Sequence, residues 1–202
     1  MTEAAVMHAV VEPQESPLTP ENWGKLGMWL FLAGDAMSFG CLIVGYGILR
    51  HASSSWPVPK DVLGINLTAF MTFLLIVSSV WMVLALAAIQ ENNKPKFNKF
   101  LGLVILGGLM FLGCQAYEWT HFIHEGARPF SNPWGVAQFS ASFFVITGFH
   151  GLHVLSGVVV LAIVASRAFL DRNSSDGIEL AGLYWHFVDV VWVFVFAFFY
   201  LL

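Results

Sequence analysis

Apolar residues fall into five long runs that are separated by short polar segments. Each run is near or above the roughly 20 residues that a helix needs to cross the hydrocarbon of a bilayer. Lipid offers no hydrogen bonds to backbone, and the runs are too long and too uniformly apolar for barrel strands, so each predicts a helix. The predicted fold class is an all-α integral membrane protein, a five-transmembrane-helix bundle. The runs cover residues 25–49, 62–89, 97–123, 138–170 and 178–202.

The N-terminal residues 1–22 have a different character from the rest of the chain. They contain acids and prolines and lack the apolar core and basic start of a signal peptide. Trp23, which follows them, suits the membrane interface. We therefore predict a flexible N-terminal tail over 1–22 and one membrane domain over 23–202.

Composition supports the membrane class and excludes others. Hydrophobic residues make up 57% of the chain and charged residues only 11%, against about 25% charged residues in soluble domains. The net charge of −4 gives no reason to expect nucleic-acid binding. Cys41 and Cys114 lie within apolar runs, so we expect buried small apolar side chains rather than a disulfide or a metal pair.

The distribution of basic residues predicts an orientation. With the N-terminus inside, the inner segments hold six of the nine Lys and Arg residues and the outer segments hold three. The positive-inside rule then places the N-terminus in the cytoplasm and the C-terminus outside.

The fourth run carries histidines at membrane depth. His150 and His153 are three residues apart and so share one helix face. Gly148, Gly151 and Gly157 surround them, and small residues let a second helix approach closely. We expect this face to pack against protein.

Acidic residues at membrane depth are candidate functional sites. Asp35 lies about ten residues into the first helix, about 15 Å of rise from its start and so near the midplane. A protonated structural Asp and a role in proton handling or subunit contact remain equal alternatives. Glu118 and His121 are three apart and can pair on one face, close to the headgroups, where an interfacial polar cap is the favoured interpretation.

His186 and Asp189 in the fifth run are also three residues apart. A carboxylate can orient a histidine, and we prefer a structural pair that joins helices. A metal or haem site formed by His150, His153 and His186 is disfavoured, because no Glu-x-x-His motif recurs on two helices as in di-iron bundles.

Four stretches resemble subunit III of haem-copper oxygen reductases, in the same order. They are GMWLFLAGDAMSF, QAYEW, TGFHGLHVLSG and YWHFVDVVWVFVF. The resemblance extends from about Trp23 to the C-terminus and is closest to the five-helix bacterial form.

The resemblance implies a non-catalytic subunit of a respiratory terminal oxidase, which reduces dioxygen and pumps protons. It implies no cofactor in this chain, haem and copper in partner subunits, and room for bound phospholipid. The implied partners are subunit I by direct contact, subunit II, further respiratory subunits and membrane lipids, in a bacterial plasma membrane. Asp35 stands where the family has an embedded carboxylate, usually Glu. The other residues that match the family pattern are Glu118, His150, His153, His186 and Asp189, which are expected to form an internal polar network.

Three other functions are weighed against this one. A nitric oxide reductase accessory subunit has the same fold in the same superfamily. An independent proton-coupled transporter would use Asp35 and the histidines as a relay. A stand-alone metalloenzyme is the least favoured.

Overall fold

The computed structural model of the protein describes residues 23–169 and 175–202, so the predicted N-terminal tail lies outside the described residues. Five of its helices are long and apolar enough to cross a membrane, which confirms the predicted all-α five-helix fold class. A short α2 joins the first two of them. The helices are α1 Trp23–Ala52, α2 Pro59–Val62, α3 Ile65–Gln90, α4 Lys94–His124, α5 Ala137–Phe169 and α6 Ser175–Val195, and a π-helical turn, Phe196–Leu201, follows α6.

Local sequence accounts for several helix ends. Pro59 occupies the first turn of α2, where its missing N–H costs nothing. Asn93 caps α4, since its side chain accepts a hydrogen bond from the backbone N–H of Lys96 at 3.2 Å. Asn92, just before it, has φ 55°, a conformation that Asn tolerates better than most residues. The tight α3–α4 connection makes these two helices antiparallel neighbours.

Four helices form a closed ring, and α1 lies outside it. Helices α3, α4, α5 and α6 each pack on the next, with α6 returning to α3, while α1 packs on α5 and α6. The buried side chains of α1 are Leu32, Phe39 and Tyr46, which are seven residues apart and so form one line. Most of the α1 surface therefore faces outward.

Aromatic side chains fill the interior of the ring. Phe111, Trp185 and Trp192 are at most 1% exposed, and the Phe111 ring meets the Trp192 ring edge-on at 4.7 Å. Such large side chains fit because glycines face them. A Cβ on Gly108 would lie 2.6 Å from the Trp185 ring and 2.6 Å from Val158. The glycine thus sets the closest approach of α4 to α5 and α6.

The two cysteines are less buried than predicted. Both are free, but Cys41 is exposed on α1 and Cys114 is partly exposed. Cys41 is exposed because α1 lies outside the ring, where a side chain on its outward side contacts no other helix.

Candidate functional site

Asp35 and His153 lie next to each other between α1 and α5. The Asp35 Oδ2 atom is 3.4 Å from His153 Nε2, and both side chains are less than a fifth exposed. The His153 Nδ1 atom lies 2.7 Å from the Phe149 carbonyl oxygen. In that position Nδ1–H donates to the carbonyl and Nε2 faces the acid. The sequence could not pair these residues, because they are on helices far apart in the chain.

Glu118 is held by two hydroxyl groups inside the bundle. Its side chain is buried, Thr68 donates to Oε1 at 3.1 Å, and Tyr200 donates to Oε2 at 2.9 Å. The predicted pairing with His121 is wrong, as His121 faces outward and lies 3.6 Å from Glu125. The interpretation as an interfacial polar cap stays a prediction, and within the bundle Glu118 joins α3, α4 and the terminal π-helical turn.

His150 is enclosed by aromatic rings. It has no exposed surface, and its ring centroid lies 4.8 Å from that of Trp192, 5.5 Å from that of Phe111 and 6.3 Å from that of Phe39. Neither ring nitrogen has a hydrogen-bond partner within the described part of the chain. His150 and His153 share a helix, but only His153 faces an acid.

Ser79 of α3 contacts His186, which was predicted to pair directly with Asp189. The Ser79 Oγ atom lies 2.5 Å from His186 Nδ1, and Asp189, three residues further along α6, is buried with an Oδ1 atom that has no hydrogen-bond partner among the described residues. A serine hydroxyl can both donate and accept a hydrogen bond, so it can pair with either tautomer of the His186 ring. We call Ser79, His186 and Asp189 the midplane triad, since they lie near the middle of α3 and α6.

Two further hydrogen bonds join α6 to α3. The indole N–H of Trp185 donates to Ser78 at 3.1 Å, and that of Trp192 donates to Thr72 at 3.0 Å. Sequence analysis did not select these hydroxyl residues. The available signal was the recurrence of Ser and Thr at residues 68, 72, 78 and 79 within an otherwise apolar α3.

Each of the three predicted packing glycines faces a large side chain. A Cβ on Gly148 would lie 3.1 Å from Trp119, one on Gly151 would lie 2.8 Å from Gln115, and one on Gly157 would lie 3.0 Å from Trp185. The Gln115 amide donates to the carbonyl of Thr147 at 2.5 Å, so Gly151 leaves room for a hydrogen bond between α4 and α5.

Gly151→Leu is expected to separate α4 from α5, because its Cβ would displace the buried Gln115 amide. The expected result is loss of most folded protein after extraction in mild detergent, measured by size-exclusion chromatography. Gly102→Leu is the matched control, since Gly102 has nothing within 4 Å of a Cβ. Equal yields from both variants would show that α5 does not need this close approach.

The polar residues thus form separate groups rather than one network. Asp35 with His153, Glu118 with its hydroxyl donors, His150 among rings and the midplane triad lie at different helix contacts. Among residues 23–169 and 175–202, no group of three or more His, Cys, Asp or Glu side chains could hold a metal ion. The chemistry available is hydrogen bonding and proton exchange within a helical bundle.

The chain matches a known protein family and several of its named members. The family model described as cytochrome c oxidase subunit III matches residues 21–202. A cytochrome c oxidase subunit 3 from Alkalihalophilus pseudofirmus is 34% identical over 193 residues, which cover 94% of this chain and 91% of the relative. A quinol oxidase subunit 3 from Bacillus subtilis is 32% identical over 180 residues, which cover 88% of this chain and 86% of the relative.

Proposed function

The chain belongs to the cytochrome c oxidase subunit III family, and we propose on that basis that it is the non-catalytic membrane subunit of a haem-copper terminal oxidase. The observation that carries the proposal is the family match over 21–202, which includes all five membrane-spanning helices. The relatives are named as oxidase subunits and favour neither an accessory subunit of a nitric oxide reductase nor a transporter.

In this proposal the redox centres belong to other chains. The protein packs directly on subunit I, which holds haem and copper, in a complex with subunit II and further respiratory subunits. Phospholipid binds at its surface. The polar groups around Asp35, Glu118, His150, His153, His186 and Asp189 maintain helix packing and support proton uptake by the complex.

We propose a bacterial plasma membrane location with the N-terminus in the cytoplasm. The excess of Lys and Arg in the segments on that side supports this orientation. Lys25 near the start of α1 and Glu179 near the start of α6 form an ion pair of 2.9 Å. The two helices therefore begin on the same side of the membrane, as the proposed topology requires.

The test is purification of the N-terminally tagged chain from native membranes in mild detergent. We expect haem bands in the reduced-minus-oxidised spectrum and a large multi-helix partner in the same peak. A colourless chain that purifies alone, even after crosslinking, would contradict the proposal. Stoichiometric metal on the lone chain would instead favour a metal site at the histidines.

Asp35→Asn is expected to leave assembly nearly intact and to change the lifetime of the oxidase during turnover. The amide is close in shape to the carboxylate and keeps an oxygen that faces His153, but it cannot exchange a proton. The measurement is oxygen consumption followed until the enzyme inactivates, together with the yield of co-purified large subunit. Loss of the large subunit from the variant would show that the acid is structural.

A further inference from the structure

Two members of the midplane triad, His186 and Ser79, are open to the outside of the bundle, whereas Asp189 is enclosed. His186 and Ser79 are only partly buried, although they sit near the middle of α6 and α3. Asp189 is 6% exposed, and its Oδ1 atom has no hydrogen-bond partner among the described residues. Polar side chains at this depth face protein or a water-filled cavity almost without exception. Acyl chains offer them no hydrogen bond.

The surface around the triad has the shape of a helix-packing face. Residues three or four positions from the triad on the same helix share its face. On α3 these are Ile76 and Val83, and on α6 they are Val190 and then Val193, all exposed. The result is a small polar centre surrounded by aliphatic side chains. We call this surface the α3–α6 face.

The other helices among residues 23–169 and 175–202 leave the α3–α6 face uncovered. The described contacts place α1 against α5 and α6, and α4 on the inner side of α3 through Gly107 and Ser78. No described helix covers His186 and Ser79 from outside. Residues 1–22 and 170–174 contain no apolar run long enough to span a membrane, so a helix that covers this face comes from another molecule, and it must bring a polar group to the midplane.

We propose that a transmembrane helix of the large partner subunit packs on the α3–α6 face and hydrogen-bonds His186 of the midplane triad. This inference rests on the proposed function and assigns the contact surface within it. The polar centre and aliphatic rim of the α3–α6 face determine which side chains the partner helix carries. That helix presents small or β-branched residues to the aliphatic rim, and at mid-membrane it carries one hydroxyl, amide or other hydrogen-bonding side chain toward His186. Interhelical hydrogen bonds of this kind contribute about 0.6 kcal/mol on average in membranes, so they fix register more than affinity.

The experiment is photocrosslinking in the intact oxidase complex. A benzophenone amino acid replaces Val190 on the α3–α6 face in one variant. It replaces Leu106 in the control variant, on α4 at the other side of the ring. The two side chains are matched in exposure, at 53% and 51%. Each tagged complex is purified, its haem spectrum is recorded, it is irradiated, and the adducts are identified by mass spectrometry.

We expect the Val190 variant to form an adduct with a transmembrane helix of the haem-containing subunit, and the Leu106 variant to form lipid adducts. Lipid adducts alone at Val190, in a complex that retains its haem, would overturn the inference and leave the proposed function standing. Equal crosslinking of both positions to the large subunit would also overturn it. A wild-type chain that purifies without haem would overturn the proposed function itself and this inference with it.

Discussion

Gly108→Val is expected to abolish folding of the bundle, the largest effect that the structure predicts. The new Cβ would lie 2.6 Å from both the Trp185 ring and Val158, so α4 would have to move away from α5 and α6 together. Overpacking a core typically costs about 1–3 kcal/mol, and this site is at the severe end because neither neighbour can turn away. Trp185 is 1% exposed and its indole N–H is bound to Ser78.

The measurement is the yield of monodisperse protein in mild detergent and its thermal unfolding temperature. Gly113→Val, one and a half turns further along α4, is the control, because Gly113 has nothing within 4 Å of a Cβ. That variant is expected to change stability by no more than about 0.5 kcal/mol. A Gly108→Val protein that unfolds at the wild-type temperature would mean that α4 does not approach Trp185 as closely as the structure shows.

Glu118→Leu is expected to destabilise the end of the bundle where α4 meets α3 and the terminal π-helical turn. The change leaves the Thr68 and Tyr200 hydroxyls without their acceptor, and each orphaned buried group costs about 1–3 kcal/mol. Tyr200 belongs to the terminal π-helical turn, so release of its hydroxyl also weakens the attachment of that turn to α3 and α4. Glu118→Gln keeps one oxygen acceptor and is expected to lose much less stability.

A double-mutant cycle with Tyr200→Phe measures the contact itself. We expect a coupling free energy between Glu118 and Tyr200 of about 0.6–1.7 kcal/mol, the range found for hydrogen bonds between membrane helices. Thermal unfolding in detergent provides the data. Glu125→Gln is the control, since its carboxylate is partly exposed and lies 3.6 Å from an exposed His121, where ion pairs contribute little. Strict additivity of Glu118→Leu and Tyr200→Phe would contradict the buried hydrogen bond.

Patterns within one helix did not identify hydrogen-bond partners. Glu118 with His121, and His186 with Asp189, are each three residues apart, a spacing that predicts one shared helix face, yet Glu118 is buried and His121 is exposed. The hydrogen bonds nevertheless go to other helices. Glu118 binds Thr68, which is 50 residues away, and Tyr200, which is 82 residues away. His186 binds Ser79, which is 107 residues away.

The glycines predicted contacts between helices better than the charged residues predicted hydrogen-bond partners. Gly148, Gly151 and Gly157 were selected because they surround two histidines in an apolar run, and all three face a large side chain across a helix contact. Gly108 makes a closer approach than any of them but was not selected, since Gly107-Gly108 lies in a run with no polar residue to mark it. A small residue shows where a second helix can approach closely. The residues next to it in the sequence do not show whether a second helix lies there.

The sequence by itself determined that the chain forms five membrane-spanning helices, because the thickness of the hydrocarbon and the need for internal backbone hydrogen bonds allow little else for runs of this length. It also carried the family resemblance, since the motifs are continuous stretches. Only the tertiary structure decided which helices form the ring, that α1 lies outside it and that Ser79 rather than Asp189 contacts the His186 ring nitrogen. Those facts depend on contacts between residues far apart in the chain, and in a uniformly apolar environment hydropathy does not distinguish a side chain that faces lipid from one that faces another helix.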